Sequence, residues 1–244
     1  MDSIREARTD LAACHRWAER LGLNEGIDNH FSYAVDPDGR RFLVNPLGLH
    51  WRELRASDLV LADADRNILE GSNQVEDTAF FIHSRLHLKH PTARCVLHTH
   101  MPYATTLCVL EHGRVLMASQ NALQFYGRIA YLDEYEGLAL ENDEGDRMAA
   151  AMGANSVLFL GAHGVIVTAP TIHQAFNDLY FLERACMVQV LAMSTGQKIR
   201  LVSERASAQM VKAMAENPDA VEQPKRHLEA IKRILDREAP DYRL

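Results

Sequence analysis

Arg94-Cys-Val-Leu-His-Thr-His100 is the stretch that decides the fold and points to the chemistry. Cys95, Val96 and Leu97 form a short apolar run, which reads as a buried strand delivering His98 and His100 at its end. Side chains two apart on a strand share one face, so both imidazoles can meet one ion. A second apolar run, Ser156-Val-Leu-Phe-Leu160, leads into Gly161-Ala-His163-Gly164. A third imidazole at another strand end would complete a three-histidine set with open coordination positions, the donor set of a catalytic metal site. The chain has 12 histidines, so some pairs fall at this spacing by chance and the surrounding pattern must carry the reading.

The 244 residues are 47% hydrophobic and 24% charged, the composition of a soluble globular protein with room for one large α/β core. The net charge of −7 and the lack of a basic stripe argue against a nucleic-acid partner. No apolar run reaches membrane-spanning length, and the charged start, Met1-Asp-Ser-Ile-Arg-Glu-Ala-Arg8, does not read as a signal peptide. Cys14, Cys95, Cys108 and Cys186 form no C-x-x-C pair and read as reduced thiols of a cytoplasmic protein.

Helical spacing runs over residues 4–21, then Gly22, Gly26 and Asp28 open a loop. Residues 30–35 alternate as a strand, and Asp36-Pro-Asp-Gly39 turns the chain into a second strand over 42–44. A strand is expected over 58–62, and a helix over 75–90 ended by Pro91. After the histidine strand come helices over 102–110 and 141–152, and strands over 156–160 and 165–168. The longest helix spans 171–194 and stops before Gly196. Two further helices cover 203–216 and 221–237, with Pro224 delaying the start of the second. No repeat or linker divides the chain, so a mixed sheet between helical layers is the expected architecture.

Several motifs in order resemble the class II aldolase/adducin family. They are Asn29-His-Phe-Ser32, Phe42-Leu-Val-Asn-Pro-Leu-Gly48, Ala56-Ser-Asp-Leu-Val60, Ile82-His-Ser-Arg-Leu-His87, the two histidine segments, and Ala175-Phe-Asn-Asp-Leu-Tyr-Phe-Leu-Glu183. The resemblance implies a single α/β/α domain with a largely antiparallel central sheet over residues 1–200. Residues 201–244 would be a helical extension packed on that domain or on a neighbouring subunit. It further implies a homotetramer and one divalent ion per chain, Zn²⁺ first, with Mn²⁺ or Co²⁺ as alternatives. His98, His100 and His163 are the implied ligands. The implied chemistry is carbon–carbon lyase chemistry on a small-molecule substrate: retro-aldol cleavage or decarboxylation through a metal-stabilised enediolate.

One departure matters. The sugar-phosphate aldolases of the family place a catalytic Glu one turn before the histidine matched by His83, and here that position is Ala79. This places the chain nearer the adducin-like branch, and a non-catalytic adducin-head-like scaffold is the competing reading. Glu76 and Asp77 are the nearest carboxylates, and either caps its helix or reaches the site. Glu76 and His83 are the catalytic candidates, whereas His87, four residues on, reads as packing. Asn29 and Ser32 are candidate substrate contacts. Asn45, Gly48, Tyr126, Arg128 and Tyr131 read as structural. The acidic pair in Glu25-Gly-Ile-Asp-Asn29 disfavours a phosphate and favours a carboxylate or uncharged substrate.

Overall fold

Strand β5 (Cys95–Thr99) is buried at every position and lies in the middle of an eight-stranded sheet. The computed structural model describes residues 2–71, 74–90, 92–137 and 140–244. On one side of β5 lies β1 (His30–Ala34), followed outward by β2 (Arg41–Val44), β3 (Val60–Asp63) and β4 (Ile68–Glu70). On the other lies β8 (Gly164–Ala169), followed by β7 (Val157–Leu160) and β6 (Ile129–Leu132). Every pairing is antiparallel except β6 with β7. The largely antiparallel α/β sheet expected from the sequence is therefore present.

Alternation along the strands sorts the core into two layers. Phe31, Leu43, Cys95, Leu97, Val165 and Val167 face α1 (Asp2–Arg20) and α6 (Ile172–Ser194). Val96, Leu158, Leu160 and Ile166 face α2 (Asp77–Lys89) and α5 (Asn142–Met152), meeting Ile82, Leu86, Met148 and Met152. Each such side chain, once fully buried, contributes about 1.5–3 kcal/mol of transfer free energy. The short helix α3 (Pro102–Cys108) follows β5, and α4 (Gln120–Leu123) precedes β6. Two helices close the chain, α7 (Glu204–Glu216) and α8 (Pro218–Glu238). Leu228, Ile231 and Leu235 of α8, with Tyr242 beyond it, join the same core as α1 and α6. Lys232 also reaches Asp10 of α1 at 2.8 Å.

Three local expectations are corrected. Strands β4 and β6 were not foreseen; they are the two edges of the sheet, and neither contains a fully buried residue. The strand expected over 58–62 starts at Val60, because residues 56–58 form a single 3-10 turn. Helix α8 begins at Pro218 and runs through Pro224 rather than starting late. Asn217 accepts a hydrogen bond from the Asp219 amide, and proline at the first helical position loses no intrahelical bond. Helix α2 ends at Lys89 with His90 as its cap, and Pro91, expected to stop it, lies outside the described residues.

Candidate metal centre

The even-numbered positions of β1 and β5 point toward α2. His30 pairs in register with His98, and Ser32 with Val96. His100 follows the last residue of β5, while His163 sits in the turn between β7 and β8. That turn is tight, with Ala162 at φ 54°. A β-carbon on Gly164 would lie 2.6 Å from the Thr99 carbonyl oxygen and 2.7 Å from the His100 ring, so only glycine lets the two segments approach. One ligand atom from each of His98, His100 and His163 lies within 4.8 Å of the others. The sequence expectation that three imidazoles converge is thus met by the geometry.

The surrounding bonds select the donor atoms. The His98 Nδ1–H donates to the Val165 carbonyl at 3.0 Å, which leaves Nε2 as the lone pair. The Nε2 of His100 is buried with no partner among the described residues. Burial pushes the pKa of His98 well down, helped by the neighbouring His163 and His100. Burial likewise lowers His100, and with His100 beside it lowers His163 to about 4. Three neutral imidazoles with free lone pairs fit a divalent ion. From α6, the Glu183 carboxylate accepts from the amides of Tyr103 (2.8 Å) and Ala104 (2.9 Å), anchoring α3 directly after His100.

A cavity of about 180 Å³ opens onto this cluster and is also lined by Asn29, His30 and Glu76. A larger cleft of about 440 Å³, where Arg128 pairs with Asp178, lies among α4, α6, α7 and α8. The one group of side chains found among the described residues that could hold a metal ion lies at the smaller cavity. Asn29 adopts φ 80°, and its Oδ1 accepts from the amides of Glu25 (2.9 Å) and His100 (3.3 Å). Its buried Nδ2 has no partner among the described residues, and the residue lines the cavity. Asn45 braces this loop by donating to the Asn29 carbonyl and accepting from the Phe31 amide.

Glu76 occupies the N-cap position of α2, yet its side chain makes no capping bond. Instead its Oε2 lies 2.6 Å from His30 Nε2, and its Oε1 accepts from the Thr78 hydroxyl at 2.8 Å. The His30 hydrogen bond is the chief cause that holds the Glu76 pKa below the usual glutamate range. Asp77, the other nearby carboxylate, pairs with Arg66. Ser32 and His83 are absent from the cavity lining and sit behind it, both fully buried. Their hydrogen bonds form a relay with a defined direction. His87 Nδ1–H donates to the Ala93 carbonyl at 2.6 Å, so its Nε2 must accept from the Ser32 hydroxyl at 2.7 Å. The Ser32 oxygen then accepts from His83 Nδ1–H, which leaves His83 Nε2 as an unpartnered lone pair.

Two site residues escaped sequence reasoning. His30 lay inside a quoted motif, but its neighbours are set by register with β5, which the sequence does not display. Tyr135 places its half-exposed ring 6.2 Å from that of His163, from a loop without periodicity. Tyr131 is structural as expected, its hydroxyl accepting from the Val115 amide at 3.0 Å.

The buried histidines predict a pH dependence of stability. Burial lowers His15 and His87 from 6.5 to about 4, so the folded chain keeps both neutral while the unfolded chain protonates them. The unfolded state binds more protons between these values, so stability falls as pH drops from about 6.5 to about 4. Each group contributes on the order of 2–3 kcal/mol across that window. Urea titrations at pH 7.5 and 4.5 should show the loss, and equal stabilities would contradict the neutral state assigned to both imidazoles in the folded chain.

Comparisons with known proteins agree with this architecture. The profile described as Class II Aldolase and Adducin N-terminal domain matches residues 9–190. An aldolase II superfamily protein from Pseudomonas syringae superposes with a TM-score of 0.88 at 32% identity, covering 98% of this chain and 96% of that one. Rattus norvegicus alpha-adducin is 31% identical over 192 residues; these are 77% of this chain but only 26% of the adducin. An L-fuculose 1-phosphate aldolase from Glaciozyma antarctica shares the fold, with a TM-score of 0.87 at 23% identity over 99% of this chain and 93% of that one. On the profile match and the fold together, the chain belongs to the class II aldolase and adducin N-terminal domain family.

Proposed function

We infer that this chain is a divalent-metal-dependent carbon–carbon lyase of the cytoplasm. Its reaction is retro-aldol cleavage or decarboxylation of a small hydroxy-carbonyl or hydroxy-acid. The observation that carries the reading is the convergence of His98, His100 and His163 on a cavity that also holds an ionised carboxylate. Three neutral nitrogen donors favour Zn²⁺, with Mn²⁺ or Co²⁺ as alternatives. A divalent ion held there would supply a Lewis acid for charge developing on substrate oxygens.

The chain's own groups do the rest. Glu76 takes or returns the substrate proton, and His30 fixes the orientation of that carboxylate. Asn29 offers its free Nδ2–H to a substrate oxygen. His83 stands behind His30, their rings 5.8 Å apart, and Ser32 fixes its tautomer. Ser32 thereby supports the site from behind rather than through a substrate contact. The reading includes the homotetramer, which light scattering would report as four times the 27.5 kDa chain mass.

A metal-loaded sample assayed against hydroxy-acids, keto-acids and sugars should release a carbonyl fragment or carbon dioxide, and a chelator should stop it. Full metal loading without turnover would favour the second reading, a non-catalytic scaffold like an adducin head. The specific observations on that side are the alpha-adducin likeness and Ala79 at the usual Glu position.

A further inference from the structure

The cavity wall carries anions without cations. Asp28 and Glu76 line it, and Glu25 brings its Oε2 to 3.8 Å from His100 Nδ1. No Lys or Arg lines it among the described residues. Nearby arginines are already paired: Arg147 with Glu144 at 2.7 Å, Arg85 with Asp146, and Arg66 with Asp77. The free donor on the wall, Asn29 Nδ2, is uncharged. Three carboxylates outnumber the two charges of a divalent ion by one. A substrate that loses a proton as it chelates adds a further negative charge, so a phosphate dianion would enter a field that is already negative. The volume of about 180 Å³ also suits a small molecule.

We propose that Glu25, Asp28 and Glu76 make this cavity selective for small substrates without a phosphate: neutral hydroxy-carbonyls, or acids whose one carboxylate chelates the ion. The inference rests on the metal-site reading above and adds the substrate class to it. Selectivity here comes from repulsion of the wrong substrate as much as from attraction of the right one.

Binding calorimetry tests it without turnover. The probes are glycolohydroxamate, a bidentate mimic of a deprotonated hydroxy-carbonyl, and its phosphorylated counterpart phosphoglycolohydroxamate. Metal-loaded protein should bind the phosphorylated probe at least about tenfold more weakly than the plain one. The double substitution Glu25→Gln, Asp28→Asn should narrow that gap by about tenfold, tightening the phosphorylated probe more than the singly charged glycolohydroxamate. Raising the salt concentration on the unaltered protein should narrow the same gap through screening, a measurement that needs no variant. Equal or tighter binding of the phosphorylated probe overturns the proposal, as does a gap that neither salt nor the substitutions alter. If neither probe binds metal-loaded protein, the metal-site reading fails, and this proposal with it.

Discussion

His100→Ala is expected to remove both the bound divalent ion and all detectable turnover, while the fold stays intact. His100 lies just beyond β5, outside the apolar clusters, and its Nε2 has no partner to lose. Substitutions that create neither a cavity nor an unpaired buried group usually change stability by about 0.5 kcal/mol or less. Loss of one of three ligands, in contrast, leaves two imidazoles, too few to hold a catalytic ion. Metal analysis, turnover and thermal denaturation of the variant would be read together. Retained metal or activity would exclude His100 as a ligand, and a collapsed melting transition would make its role structural.

Glu76→Gln is expected to lower kcat by about 10²–10⁴-fold with metal content unchanged. Glutamine keeps the shape and can still accept from His30, so the cavity persists and only the base is lost. Glu76 is suited to the task because it lines the cavity and its carboxylate is held by His30 and Thr78 instead of capping the backbone amides of its helix. An effect below tenfold would move the proton transfer to another group, with Tyr135, whose ring lies 6.2 Å from that of His163, the next one to substitute.

Much of the fold could be read from the chain because burial leaves periodic marks. The all-buried run Cys95–Thr99 and the long helix Ile172–Ser194 both carry them. The convergent histidines proposed as ligands were legible for the same reason: each sits at the end of, or just after, a strongly apolar strand. The edges were not. Strand β4 is exposed at all three residues and β6 is only half-buried, so pairing, not composition, makes them strands. The direction of the Glu76 carboxylate was equally hidden. Its position before α2 suggests a cap, and what turns it away is His30, a residue 46 positions earlier that reaches it only because β1 pairs with β5. The roles of Ser32 and His83 also depend on a relay that spans β1, α2 and the Ala93 carbonyl. Sequence spacing places two histidines on one helix face, but it does not say which hydroxyl links them.

The central claim is that His98, His100 and His163 form a metal centre. Elemental analysis of protein purified without chelators, then reconstituted with Zn²⁺, tests it most directly. The account predicts about one divalent ion per chain, as expected for one three-imidazole site. Substoichiometric metal with no gain on reconstitution would contradict it.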